Sequence, residues 1–314
     1  SICKHAVAGS CGECLADDNR HREFGSGYRI CYRGVMDLFR NPELSAAVYA
    51  SQETPRAPSD IVLEVSSAMA LGDLPGGVPG ACWVFTNAES VRLYRGNDFV
   101  AEFAPDRRGR FAALPHPPIE INDFVGSLLE KYEGMDHASA LQAAAILNEL
   151  RRDAMEPSPL SRARMLSLRL GWNDVLRMYY KYIGVLGSPA AEYRFEAVWH
   201  GRAVRTVVRE PVQSVRLECV VHNPILTDGP TWDCAAVSLR AIDQNGNLLP
   251  YCGEAVQLRT EGPVKILGPA VVPLRGGMGG TYLATTGEAG RAVLHCRMEG
   301  ALDTEAYLTI RCRE

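Results

Sequence analysis

The hydrophobic periodicity of this chain changes twice along its length, and these changes limit the folds that it can adopt. Between residues 55 and 114, apolar and polar residues alternate with period two, which is typical of half-buried β-strands. Helical spacing replaces that alternation between residues 122 and 187, and period two returns from residue 193 to residue 314. The sequence therefore predicts a mainly β fold with an α-helical insertion.

Local motifs place turns and a helix start within this pattern. Residues 95–98 supply turn chemistry between two apolar runs, and residues 243–247 contain an Asn-Gly pair that tolerates a positive φ. Asp136 is a suitable N-cap for a helix, because apolar residues follow it at helical spacing. The clearest predicted strands of the C-terminal region are residues 215–221, 236–242, 255–259, 282–285 and 292–296.

The N-terminal residues, up to about residue 54, predict one strand and one helix. The small, apolar residues 6–16 are typical of a buried parallel strand. The helix is expected over residues 34–39, is interrupted at Pro42 and resumes over residues 43–52. One such pair cannot close a barrel of eight strands. It must therefore pack on the strands that follow it or be the remnant of a larger barrel.

Charge and composition exclude several classes of partner. A net charge of -4 and a pI near 6.0 provide no basic field for phosphates, so we expect no nucleic-acid partner. No apolar window reaches the 18 or so residues of a membrane helix, so we expect no membrane partner. The 10 cysteines are scattered, which is typical of a reducing compartment. We expect the protein to be located in the cytoplasm. The sequence leaves open whether a signal peptide precedes Ser1.

A cysteine pair near the N-terminus has the spacing of a metal or redox motif. Residues 11–14 read Cys-Gly-Glu-Cys, and Cys3, His5 and His21 lie near them in the sequence. A structural zinc site needs four well-placed ligands, which this set does not convincingly provide. We therefore expect neither a metal nor another cofactor.

A longer motif occupies residues 24–52. It reads Phe-Gly-Ser-Gly-Tyr-Arg-Ile-Cys-Tyr-Arg-Gly-Val-Met-Asp-Leu-Phe-Arg and ends at Tyr-Ala-Ser-Gln. Together with Asp17, Asn19 and His21, it resembles the segment after the eighth barrel strand in glycoside hydrolase family 2. That family contains β-galactosidases, β-glucuronidases and β-mannosidases. Further matches to the family follow at residues 84–95, 179–182, 241–250 and 261–268, so the resemblance covers most of the chain.

The resemblance implies four regions. A C-terminal βα remnant of the catalytic TIM barrel would occupy residues 1–54, and an immunoglobulin-like β-sandwich would occupy residues 55–118. A helical segment would follow over residues 119–189. A second, C-terminal immunoglobulin-like β-sandwich would occupy residues 190–314.

The resemblance also implies a function. Members of the family are retaining glycosidases that act on terminal β-linked sugars, and both catalytic glutamates belong to barrel strands that would lie upstream of Ser1. We therefore expect no catalytic residue here and an isolated chain that is inactive. The partners would be a carbohydrate in the context of the full enzyme, the upstream barrel and other copies in a homo-oligomer. The alternative is a stand-alone, non-catalytic carbohydrate-binding or protein-interaction module.

Polar residues at the end of the predicted strand form the candidate site. Substrates bind at the C-terminal ends of barrel strands, so the resemblance implies a substrate rim in this region. Its members are Glu13, Asp17, Asp18, Asn19 and His21.

Four positions near this rim depart from the family pattern. The family has Trp where this chain has Glu13, and Tyr where Asp18 stands. It has Asp in place of Tyr28 and His in place of Arg33. Losing an aromatic platform removes apolar contact with a sugar ring. The departures therefore indicate either an altered specificity or a loss of activity.

Overall fold

The strands and helices are defined by a computed structural model that describes residues 14–19, 30–69, 81–153, 155–184 and 191–313. Strands account for more of these residues than helices do, which confirms the mainly β class. The chain divides into two units. Unit 1 is described within residues 47–211, and unit 2 within residues 14–46 and 212–313.

The N-terminal part of unit 2 contains little regular structure. Strands β1 (Asp18–Asn19) and β2 (Ile30–Cys31) pair antiparallel, and helix α1 (Leu44–Ala50) follows them. Ala16 forms a parallel bridge with Met36. Most of the strand predicted over residues 6–16 lies outside the described residues.

The helix predicted over residues 34–39 is wrong. The carboxylate of Asp37 accepts hydrogen bonds from the backbone N–H groups of Phe39 and Asn41, and Arg40 has a φ of 68°. Aspartate side chains that bond nearby N–H groups compete with helix formation, so these residues form a tight turn instead. The second predicted stretch, residues 43–52, is helical from Leu44 to Ala50.

In its described residues, unit 1 combines two antiparallel sheets with four α-helices, in addition to the end of α1. A three-stranded sheet has the order β3-β4-β7, and a four-stranded sheet has the order β6-β5-β8-β9. In chain order its elements are β3 (Leu63–Val65), β4 (Cys82–Thr86), β5 (Ser90–Arg95), β6 (Asp98–Phe103), β7 (Ile119–Ile121), α2 (Leu128–Glu133), α3 (His137–Arg152), α4 (Pro159–Ser167), α5 (Trp172–Tyr182), β8 (Tyr193–Trp199) and β9 (Arg202–Arg209).

Local sequence signals explain two junctions of unit 1. The hairpin predicted at residues 95–98 is confirmed, since Gly96 lies between β5 and β6 with a φ of 58°. The predicted N-cap is also confirmed, because the Asp136 carboxylate accepts the N–H of Ser139 at 3.1 Å.

One apolar core joins the sheets and helices of unit 1. Alternate residues of the strands point into it, as period two requires. Helices α2, α3 and α5 add their apolar stripes to the same core. Its fully buried members include Val84, Leu93, Ile119, Phe195, Leu129, Leu147 and Val175.

Unit 2 continues with nine further strands in two sheets. They are β10 (Arg216–Val221), β11 (Ile225–Asp228), β12 (Cys234–Ile242), β13 (Ala255–Glu261), β14 (Val264–Leu267), β15 (Val271–Pro273), β16 (Met278–Thr285), β17 (Gly290–Met298) and β18 (Thr304–Cys312). The four-stranded sheet has the order β10-β12-β16-β14, and the five-stranded sheet has the order β11-β18-β17-β13-β15. Only β11 and β18 pair parallel among these strands.

The two sheets of unit 2 bury a common core. Leu217, Val237 and Leu283 come from the four-stranded sheet, and Val256 and Leu294 come from the five-stranded sheet. The turn predicted at residues 243–247 is confirmed, because the Asp243 side chain accepts the N–H groups of residues 245 and 247. Among the described residues, no helix is long and apolar enough to cross a membrane.

A charged cluster in unit 1 connects the end of α2 to α5. The Glu133 carboxylate accepts hydrogen bonds from Arg177 at 3.0 Å, from Lys181 at 2.8 Å and from the Tyr182 hydroxyl at 2.7 Å. Burial raises the pKa of Glu133, but these donors outweigh burial and lower that pKa to about 2. The carboxylate form therefore stabilises the folded state.

Replacing this carboxylate predicts a pH-dependent loss of stability. Because the pKa falls from 4.5 to about 2 on folding, the stabilisation is complete above pH 4.5 and is lost as the pH falls toward 2. We expect Glu133→Gln to lower the free energy of unfolding by about 1–3 kcal/mol at pH 7. Urea denaturation at pH 7 and at lower pH should show that difference shrinking. Glu130→Gln, at a more exposed pair with His137, should change it by under about 0.5 kcal/mol. Equal losses would contradict the prediction.

Candidate functional site

Asp17, a residue of the predicted rim, is buried, with a relative exposure of 6%. Its Oδ1 accepts the N–H of Gly34 at 2.9 Å. Gly34 must be glycine, because a Cβ there would lie 2.3 Å from the backbone nitrogen of Asp17. The carboxylate of Asp17 therefore has a structural role: it fixes the loop that contains Gly34.

Asp18 and Arg33 form an ion pair. The Asp18 Oδ1 and the Arg33 Nε lie 3.6 Å apart, on a two-stranded ladder in which Asp18 is the register partner of Cys31. These are two of the positions expected from the sequence to depart from the family pattern, and their opposite charges face each other. Such a pair near the surface contributes little stability. The pair does give each of the two charges an opposite charge beside it.

The other rim residues are only partly described. Asn19 pairs with Ile30 through its backbone. Glu13 and His21 lie outside the described residues, as does the departing position Tyr28. The structure therefore brings Asp17, Asp18 and the backbone of Asn19 into one segment of unit 2 and does not place the remaining candidates.

The segment from Asp37 to Asn41 is held by its own side chains. One oxygen of Asp37 accepts the N–H groups of Phe39 and Asn41, each at 2.8 Å, and the other accepts the Asn41 amide at 2.8 Å. That same Asn41 amide donates to the carbonyl oxygen of Gly279 at 2.9 Å. Asn41 is 1% exposed. We call residues 37–41 the docked turn, because these bonds fix it on strand β16.

The docked turn also contacts β12 and β16 through backbone carbonyls and an aromatic ring. Ser238 donates its hydroxyl to the Phe39 carbonyl at 2.9 Å, and Tyr282 donates to the Leu38 carbonyl at 3.0 Å. The rings of Phe39 and Tyr282 lie 5.8 Å apart. A Cβ at Gly280 would lie 2.3 Å from the Phe39 ring, so only glycine leaves room for this contact.

A cavity of about 430 Å³ lies beside the docked turn. Three carboxylates line it, from Asp17, Asp37 and Glu43, together with Tyr32 and Arg275. Arg275 donates to the Tyr32 hydroxyl at 2.7 Å. The rest of the lining is mostly apolar, with Ile30, Leu38, Phe39, Val272 and Met278.

The three carboxylates are not equivalent. Those of Asp17 and Asp37 accept backbone N–H groups, which commits them to loop structure. Burial raises the pKa of Glu43, and the charges of Asp17 and Asp37 raise it further. Glu43 therefore holds a proton more readily than an ordinary glutamate does. A retaining glycosidase needs two reactive carboxyls about 5–5.5 Å apart, and two structural ones do not supply that pair.

The chemistry of a metal centre is not present in the described part of the chain. No group of three or more His, Cys, Asp or Glu side chains there is arranged to hold a metal ion. The cysteines that the structure describes are free thiols, including Cys14 of the Cys-Gly-Glu-Cys segment.

Comparison with known proteins gives relatives over most of the chain. No family model matches it. The chain is 29% identical over 273 residues to the β-galactosidase of Thermoanaerobacterium thermosulfurigenes, covering 87% of this chain and 30% of that protein. It is 28% identical over 291 residues to the β-galactosidase of Thermoanaerobacter pseudethanolicus, covering 93% of this chain and 32% of that protein.

Solved structures show the same relationship at the level of the fold. A β-glycosidase from Bacteroides vulgatus superposes with a TM-score of 0.59 at 11% identity, covering 94% of this chain and 30% of that one. A β-glucuronidase from glycoside hydrolase family 2 superposes with a TM-score of 0.51 at 12% identity, covering 91% of this chain and 23% of that one. The chain resembles the C-terminal portion of a family 2 glycosidase. This confirms the resemblance that the sequence motifs indicated.

The glycosidase-like chain spans about 30% of the length of the curated relatives that it matches. Sequence reasoning found Asp17 but missed the docked turn. The signal was present in the spacing of Asp37 and Asn41, two residue types that cap turns through their side chains. The bonds between Phe39 and Ser238 and between Asn41 and Gly279 join parts of the chain about 200 positions apart, for which no local signal exists.

Filling the space at Gly280 should weaken unit 2. We expect Gly280→Ala to lower the free energy of unfolding by about 1–3 kcal/mol, because the new Cβ would displace the Phe39 ring. Gly253→Ala is the matched control, since a Cβ there meets only the Leu274 carbonyl oxygen at 4.0 Å. Urea denaturation followed by circular dichroism measures both variants. A Gly280→Ala variant as stable as Gly253→Ala would show that Phe39 does not occupy this position.

Proposed function

We propose that this chain is the C-terminal part of a retaining glycoside hydrolase that acts on terminal β-linked sugars, as a β-galactosidase does. The observation that carries the proposal is the similarity to two β-galactosidases over 87% and 93% of the chain. The chain corresponds to under a third of each relative, so the reaction would depend on residues of a longer protein. The carbohydrate would be its substrate in that context.

In this proposal the described residues support the enzyme instead of performing the reaction. The carboxylates of Asp17 and Asp37 accept backbone N–H groups and hold loops, which gives each a structural role. Residues 1–54 would be the last βα part of a TIM barrel. Asp18 and Asn19, with Glu13 and His21, would lie at its substrate rim, and Asp17 would support that rim by fixing Gly34.

The remaining regions would be accessory domains. We propose that the sandwiches predicted over residues 55–118 and 190–314 are immunoglobulin-like, with the helical segment over residues 119–189 between them. Strands β8 and β9 fall in the second range but lie in the sheet of β5 and β6 in unit 1. The accessory domains would support the upstream catalytic barrel or form the interface of a homo-oligomer. The scattered spacing of the cysteines in the sequence supports a cytoplasmic location.

The alternative is a stand-alone module that binds carbohydrate without catalysis. An exposed row of tryptophans would favour it. Trp172 is 40% exposed and Trp232 is 58% exposed, but they belong to different units, so the structure defines no row. The β-galactosidase relatives therefore favour the enzyme-part proposal.

The purified chain should not hydrolyse nitrophenyl β-D-galactoside above an empty-vector preparation, because the described carboxylates do not provide a catalytic pair. The assay compares the chain with Glu13→Gln and Glu43→Gln variants and uses a complete β-galactosidase as positive control. Turnover by the chain that either substitution abolishes would overturn the proposal and make that glutamate catalytic. Lactose binding without turnover would favour the alternative module.

A further inference from the structure

Two cysteines face each other across the core of unit 2. Cys219 lies on β10 of the four-stranded sheet, and Cys296 lies on β17 of the five-stranded sheet. The Cys296 thiol donates to the Cys219 sulfur, and the two sulfur atoms are 3.6 Å apart. Both thiols are free in this structure. The sulfurs are thus in contact but not bonded, since a disulfide bond is about 2.05 Å long.

The strand pattern directs both side chains inward. Cys296 belongs to the inward row of β17 with Leu294 and Met298, and it is 1% exposed. Cys219 follows Leu217 by two residues on β10, and its half-buried side chain packs on the same core. Because side chains alternate along a strand, neither cysteine can leave this face without a shift in register.

A hydrogen bond between the sheets fixes their separation beside the cysteines. The hydroxyl of Thr304 donates to the carbonyl oxygen of Leu217 at 2.9 Å. Thr304 is the register partner of Cys296 on β18, and Leu217 is two residues from Cys219. The same two places in the sheets are therefore held together by a polar contact and by the sulfur contact.

The two thiols differ in acidity and access. The hydrogen bond from Cys296 lowers the pKa of Cys219. The pKa of Cys296 is raised, because Cys296 donates this hydrogen bond to Cys219 and is buried. Cys219 is also the more exposed of the two, so an external reagent would meet it first.

We infer that Cys219 and Cys296 form a disulfide site that cross-links the two sheets of unit 2 when a small-molecule disulfide is present. The Cys219 thiolate attacks one sulfur of that disulfide and displaces one thiolate. The Cys296 thiol then loses its proton and attacks the Cys219 sulfur, which displaces the second thiolate. The two cysteines are oxidised to one disulfide, and the reagent is reduced to two thiols.

This site is distinct from the proposed enzyme role and does not depend on it. The other interpretation is that both cysteines only fill space as small apolar residues, as free cysteines often do in cores. The two interpretations differ in one observable. A space-filling pair stays reduced in the folded protein, whereas the proposed site forms a specific bond between residues 77 positions apart.

The test oxidises the folded full chain with oxidised glutathione and maps its disulfides by mass spectrometry of a non-reduced digest. We expect a peptide that links Cys219 to Cys296, and a melting temperature that rises by at least about 5 °C and falls back with dithiothreitol. We expect the rise because the disulfide closes a long loop and so lowers the conformational entropy of the unfolded chain.

Two variants make the result specific. Cys219→Ala should abolish both the linked peptide and the rise in melting temperature. Cys234→Ala, which removes an exposed cysteine of the same sheet, should retain both. Unlinked Cys219 and Cys296 peptides from wild-type chain, under conditions that modify Cys234, would overturn the inference. This measurement uses only the wild-type chain, so it does not depend on whether a variant folds.

Discussion

The docked turn is held on strand β16 by hydrogen bonds that its own side chains direct, and the candidate site depends on this attachment. Asp37 organises the turn, and Asn41 connects it to the Gly279 carbonyl. From the sheet, the hydroxyls of Ser238 and Tyr282 donate hydrogen bonds to backbone carbonyls of the turn. Buried backbone groups that lack partners are costly, so these bonds make a non-helical segment stable where a helix would not fit. The cavity beside Glu43 exists because this turn lies there.

The same constraint bears on the role of the acidic residues. A carboxylate that accepts two or three N–H groups is useful for loop structure and poorly suited to attack a sugar carbon. Asp37, which accepts two backbone N–H groups and the side-chain amide of Asn41, belongs to this class, and Asp17 accepts one N–H group, from Gly34. The ion pair of Asp18 with Arg33 adds local charge balance. In unit 2, these acidic side chains therefore stabilise the loops that contain them.

Sequence reasoning succeeded where the signal is local. The turn at residues 243–247 and the N-cap at Asp136 depend on side chains within a few positions of the backbone that they bond. The helix predicted over residues 34–39 failed for a related reason. The Asp37 side chain bonds the N–H groups of Phe39 and Asn41, which favours a turn over a helix.

Strand partners could not be read from the sequence. Strands β8 and β9 share their period with the C-terminal strands, yet β8 pairs with β5, about 100 residues earlier. Period two shows which face of a strand is buried but not which strand lies beside it. The contact between Cys219 and Cys296 has the same origin, because two sheets must pack before their inward rows can meet.

Native-state hydrogen exchange of the full chain tests the attachment of the docked turn most directly. The amides of Phe39 and Asn41 donate to the Asp37 carboxylate, and β12 provides ladder amides of the same unit for comparison. We predict that both amides exchange within about tenfold of the Leu239 amide, because we expect the attachment to the sheet to keep the bonds inside the turn closed. Exchange of Phe39 and Asn41 at the rate of an unstructured peptide, with Leu239 protected, would contradict the account.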